Sequence, residues 1–215
     1  MKFRGAMNTT FGNLKMNWPR VIAFAVVAAI YTGVIMTIPA LTGTSFQDIG
    51  IGYEWWIIFA VIITVNCEDA FEAALKCFMF FLLSQPLIYL VEVALGHISI
   101  DNAVEYYTQF WFGMTQLTLP GGFIAFFSKK QNALGASVLG VGCGMELLMG
   151  ITYAIQAMRD MPHHLLSAGA SIAIAIIMIW GIQREKKNRI ICMAVPIVLL
   201  ALVLVCLKIT GRVII

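Results

Sequence analysis

The chain has 215 residues, 60% hydrophobic and 12% charged, with a formal net charge of +3. A mean hydropathy of +0.89 leaves too little polar surface for a water-soluble globular domain. The small positive charge is therefore no nucleic-acid footprint, and no nucleic-acid partner is expected.

Residues 1–19 read as a basic cytoplasmic segment, with Lys2, Arg4 and Lys15 followed by Arg20 and no acid among them. Phe3, Met7, Phe11, Leu14 and Trp18 recur at helical spacing, which fits either a short interfacial helix or a solvated tail. Residues 20–215 read as a single transmembrane bundle. Its apolar runs fall at about 21–41, 53–67, 77–96, 107–128, 133–158, 165–183 and 190–207. Most approach the roughly 20 residues that a helix needs to cross a bilayer. The expected fold is all-α, a polytopic transmembrane helix bundle of about seven spans.

Charge sorting gives the orientation. With the N-terminus inside, Lys2, Arg4, Lys15, Arg20, Lys76, Lys129, Lys130, Arg184, Lys186, Lys187 and Arg189 fall on the cytoplasmic side. Only Arg159, Lys208 and Arg212 fall outside, so the positive-inside rule selects N-in and C-out. Trp18 and Trp180 sit at inner boundaries, and Trp55, Trp56 and Trp111 at or near outer ones. A bacterial inner (plasma) membrane and a lipid-bilayer partner follow. The runs are too continuous for a β-barrel.

Five cysteines, Cys67, Cys77, Cys143, Cys192 and Cys206, stand singly, as buried thiols do, without the spacing of a zinc site or disulfide framework. His97, His163 and His164 lie near Asp101 and Asp160 without diagnostic ligand spacing. No metal or cofactor is expected. No phosphate loop, metalloprotease motif or nucleophile elbow occurs, so the chain does not read as an enzyme.

The polar residues inside apolar runs carry what functional signal there is. Glu146 lies in a glycine-rich run, with Gly142 and Gly150 on its helix face. An acid at bilayer depth is a functional-site hypothesis by default. Two readings stand: a proton- or cation-binding site, or a neutral acid that holds helices together through hydrogen bonds. Gln85, Gln116 and Thr115 fall at similar depth, which predicts a shared polar layer across the third, fourth and fifth spans. Glu92 lies nearer the outer end. Pro86 and the Pro120-Gly121-Gly122 triplet are candidate helix breaks, of the kind that expose carbonyls to substrates in transporters. Ala136, Gly140 and Gly144, and the shorter Ala25 and Ala29, read as helix-packing seams.

The stretch Asn66-Cys67, Ala73 to Lys76 and Phe80 to Leu90 resembles a family of small bacterial multi-pass membrane proteins of no assigned function. Leu119-Pro120-Gly121-Gly122-Phe123-Ile124 adds to that likeness, which implies no activity. Ala25 to Ala29 is similar to the first helix of substrate-binding subunits of energy-coupling-factor vitamin transporters, which usually have six spans. The expected function is a membrane transporter or substrate-binding transport subunit for a small solute or ion, with proton linkage through Glu146. The alternative is a non-catalytic membrane subunit or regulator that docks a membrane-protein partner through Gly-rich helix faces.

Overall fold

The computed structural model describes residues 9–159 and 164–209, with the side chains of 49–51, 53, 54, 200 and 203–209 outside that description. The described residues form α1 (Trp18–Met36), α2 (Ser45–Ile51), α3 (Tyr53–Val65), α4 (Ala70–Ala94) and α5 (Ile100–Tyr106). A π-helical turn (Tyr107–Trp111) leads into α6 (Phe112–Ala125), followed by α7 (Ala133–Arg159), α8 (Leu165–Ile182) and α9 (Lys186–Ile209). The all-α expectation holds for these residues.

The expectation of about seven spans does not hold. Four described helices are long and apolar enough to cross a membrane: α1, α4, α7 and α8. They make this a multi-pass membrane protein. The overcount has local causes. The second apolar run is bounded by Gly52 and ends as helix at Val65, which leaves α3 with 13 residues, about 20 Å of helix. The fourth is divided by the π turn, which leaves α6 with 14. α9 has 24 residues, but its side chains are described only as far as Leu202, Leu200 excepted.

Packing sorts the helices into two halves. α4 packs along α1 and α6, and α7 packs along α8 and α9. Short α3 lies between them and touches α4, α6, α7 and α8. Its Trp56 and Ile63 join Val21, Ala25, Ala29, Ala73 and Phe80 in one core, while Val61 and Val65 join Ala136, Leu139, Cys143, Ala175 and Met178 in the other. Aromatic contacts tie Trp56 to Phe80 and Phe81, with centroids 5.8 and 5.7 Å apart.

Local chemistry sets the helix starts. Asn17 caps α1, its Oδ1 accepting from Arg20 N, and Pro19 sits in the first turn, where no backbone donor is required. Asp69 caps α4 by accepting from the backbone N–H groups of Phe71 and Glu72, both at 2.8 Å. The helices then run unbroken through the expected breaks. Pro86 lies inside α4, and Pro120, Gly121 and Gly122 lie inside α6. A membrane helix tolerates proline where its neighbours pack against the freed carbonyl. Gly122 faces α4, where an added Cβ would stand 2.8 Å from Cys77 Cβ. It is a point of close packing.

Residues 9–17 form a strap across one end of the bundle, whereas Phe3 and Met7 of the helically spaced set lie outside the described residues. Asn66 anchors it: Oδ1 accepts from Gly12 N (3.0 Å) and Leu14 N (2.8 Å), and Nδ2 donates to Thr10 O (2.6 Å) and Ile62 O (2.8 Å). That uses the amide's full capacity. Phe11 is buried against Gly181, where an added Cβ would lie 2.6 Å from the ring. Lys76 Nζ donates to Met16 O at 2.5 Å and pairs with Glu72 one turn earlier.

Candidate functional site

Two adjoining pockets, treated as the lobes of a cleft because they share walls, lie between α3, α4, α6 and the end of α1, with Met145 of α7 at one edge. One lobe, about 320 Å³, is walled by Trp56, Phe81, Met114 and Leu117, with Gln85 and Thr115 as its deep polar groups. The other, about 380 Å³, holds Tyr89, Glu92, His97 and Tyr106. Gln85, Trp56 and Trp111 border both lobes. Gln85 and Glu92 are seven residues apart on α4, two turns along one face and about 10 Å of rise. Both are buried, at 3% and 6% exposure.

The π turn places Trp111 at the junction, where its side chain hydrogen-bonds the Tyr89 hydroxyl. Single π turns inside helices often accompany functional sites, because the extra residue rotates the side chains that follow. Thr115 follows one turn later, fully buried, and its Oγ1 has no hydrogen-bond partner among the described residues. Its backbone carbonyl accepts from Thr118 Oγ1 at 2.6 Å. A buried hydroxyl beside an open volume is available to a ligand.

The expected polar layer is thus divided. Gln85, Thr115 and Glu92 gather around the cleft, whereas Gln116 is exposed on the outer surface of α6. It matches Thr115 in depth but is turned about 100° around the helix. Glu146 is fully buried and lines neither lobe, although Met145 does. It belongs to the α7 face that carries Cys143, 3.8 Å from Ala175 O, and Gly150, beside Ala168 O.

A second polar cluster was not legible in the sequence. Asp48 Oδ2 accepts from Ser167 Oγ (2.6 Å) and bonds His164 Nδ1 (2.7 Å), and His164 stacks on Tyr153. It ties α2 to the start of α8. This is no catalytic triad: serine and histidine both bond the carboxylate, so the histidine does not activate the hydroxyl. His163 and Asp160 lie outside the described residues. No group of three metal-ligating side chains occurs among the described residues.

At the strap end, burial and then the Glu72 charge push the Cys67 thiol up to about 11. Lys129 donates to Cys67 O at 2.5 Å and is held below the usual lysine range by burial. Cys67, Cys77, Cys143 and Cys192 are buried free thiols. Cys206 lies beyond the described side chains.

Comparison of the chain with protein-family models, curated proteins and solved structures finds no match. Neither resemblance drawn from the sequence gains support, and no family is identified.

Proposed function

We propose that the protein is an integral membrane transporter, or the substrate-binding subunit of one, that holds a small solute in the cleft at Gln85. The observation that carries this reading is the meeting of two lobes at buried Gln85, with the unpartnered Thr115 hydroxyl on one side and Glu92 on the other. Mostly apolar concavities with a few convergent polar groups are the usual form of small-molecule sites. On α7, Gly140 and Gly144 meet α9 and Gly150 meets α8, whereas a Cβ on Gly142 would meet nothing within 4 Å. On the lysine and arginine distribution, the strap end faces the cytoplasm.

Two experiments test this. Solutes are screened for thermal stabilisation of the purified protein and of Gly121→Phe. Gly121 borders the cleft, and a Cβ there meets nothing within 4 Å. The reading requires solutes that stabilise the wild type and not the filled variant. Solutes acting equally on both, or a response only to a stoichiometric protein partner, would overturn it. For orientation, single cysteines at Thr44 and Asn102 should label from outside, and those at Lys130 and Lys187 only from inside. External labelling at Lys187 would reverse the assignment.

A further inference from the structure

The two lobes differ in chemistry in a way that selects a ligand class. Glu92 is 6% exposed in the last turn of α4, and its lobe is also lined by His97. A carboxylate that deep calls for a positive or hydrogen-bonding partner, and the negative end of the helix dipole adds to the demand for positive charge. Tyr89, Tyr106, Trp111 and Trp56 border the same lobe, the two tyrosine rings 6.3 Å apart. Aromatic faces beside a carboxylate form the usual recognition surface for an organic ammonium group. A divalent metal ion is a poor fit, since it takes six or more oxygen ligands or a cluster of His, Cys and carboxylate groups. The neighbouring lobe is apolar and would leave a small hydrated cation without contacts along most of the cleft.

We infer that the solute is an amphipathic organic cation, with its ammonium head beside Glu92 among the aromatic rings and its apolar body in the Phe81–Met114 lobe. Gln85 stands where the two parts join and offers hydrogen bonds to a polar atom in the middle of the molecule, with the Thr115 hydroxyl beside it in the apolar lobe. His97 lines the Glu92 lobe and, when protonated, competes with the ligand for the carboxylate. This inference rests on the cleft being the solute site.

The test uses three probes of like shape: phenylethylammonium, phenylethanol and phenylacetate. Binding is read by calorimetry on purified protein in lipid nanodiscs. Phenylethylammonium should bind about tenfold or more tightly than phenylethanol, the scale of one charge-assisted contact, and phenylacetate should not bind. Glu92→Gln should erase that preference while thermal stability is kept, Glu92→Asp should restore most of it, and His97→Gln should retain it. Should Glu92→Gln fail to fold, Tyr106→Leu at the exposed rim supplies the second measurement, with the preference falling severalfold. Equal binding of phenylethanol and phenylethylammonium, abolished alike by Gly121→Phe, would overturn the cation assignment and leave the cleft as the site. No saturable binding of any probe would overturn the cation assignment, and a screen in which no solute separates the wild type from Gly121→Phe would remove the cleft as well. A copurified lipid chain that phenylethylammonium cannot displace would also overturn the assignment.

Discussion

The α1–α4–α6 half and the α7–α8–α9 half draw on the same apolar residue classes and package them differently. In the first, aromatic side chains, the π turn and proline-containing helices surround a cleft lined by Gln85. In the second, small residues recur along α7, and α9 approaches so closely that a Cβ on Gly140 would stand 2.8 Å from Val195 Cβ and 2.9 Å from Cys192 O. Without a hydrophobic drive between helices in lipid, such small-residue seams are what brings backbones together. Two candidate acids fall on opposite sides of this division: Glu92 in the open half and Glu146 in the sealed one. Burial depth alone does not distinguish them. The packing around each does.

The sharpest way to break this comparison is to enlarge a glycine in each half. Gly140→Leu forces a side chain into the α7–α9 seam and should cost about 3 kcal/mol, read as a large loss of thermal stability. Gly121→Leu, over open space in the other half, should be neutral or gain about 0.5 kcal/mol from better helix propensity. Equal effects at the two positions would show that the halves do not differ in packing. Next in size is Asn66→Ala. It removes three hydrogen bonds that fix the strap and one to Ile62 O, and should cost about 2 kcal/mol, with earlier proteolysis near residue 12.

Glu146 gives a smaller and more discriminating result. Glu146→Gln preserves size and hydrogen-bonding capacity, so stability should shift by no more than about 1 kcal/mol. Glu146→Leu should cost about 1–3 kcal/mol by stranding its polar neighbours. Solute-dependent stabilisation should survive in the Gln variant, because the residue lines neither lobe. If solute coupling is lost there while folding is kept, Glu146 titrates during function and the sealed half takes part in it.

The apolar runs made the all-helical membrane architecture legible, and polar residues inside those runs marked Gln85, Thr115 and Glu92. What the runs hide is where a helix starts and stops: α3 ends at Val65, and the Tyr107–Trp111 turn leaves α6 only the residues from Phe112. Counting along a helix gives depth and leaves the angle around the axis to packing. For that reason Gln116 and Thr115 look equivalent in sequence and lie on different faces. Pairings such as Asp48 with His164, 116 residues apart, follow from how α2 meets α8 and leave no local signal.

The smallest expected effect concerns Cys67, at the foot of α3 where the two halves and the strap converge. Its thiol ionises only near 11, against an ordinary value of 9.0, chiefly because it is buried. In a variant with Cys67 as the sole cysteine, iodoacetamide alkylation of the folded protein should keep rising with pH toward 11, whereas the unfolded chain levels off above 9.0. Linkage fixes the accompanying stability change. The folded state holds its proton where the unfolded state has lost it, so stability is constant below 9.0 and falls as pH rises from there toward 11. Replacing Cys67 with Ala should remove that alkaline loss at a modest packing cost. An alkylation profile that levels near 9.0 would mean that water reaches the base of α3, and that the junction of the two halves is open at the strap end.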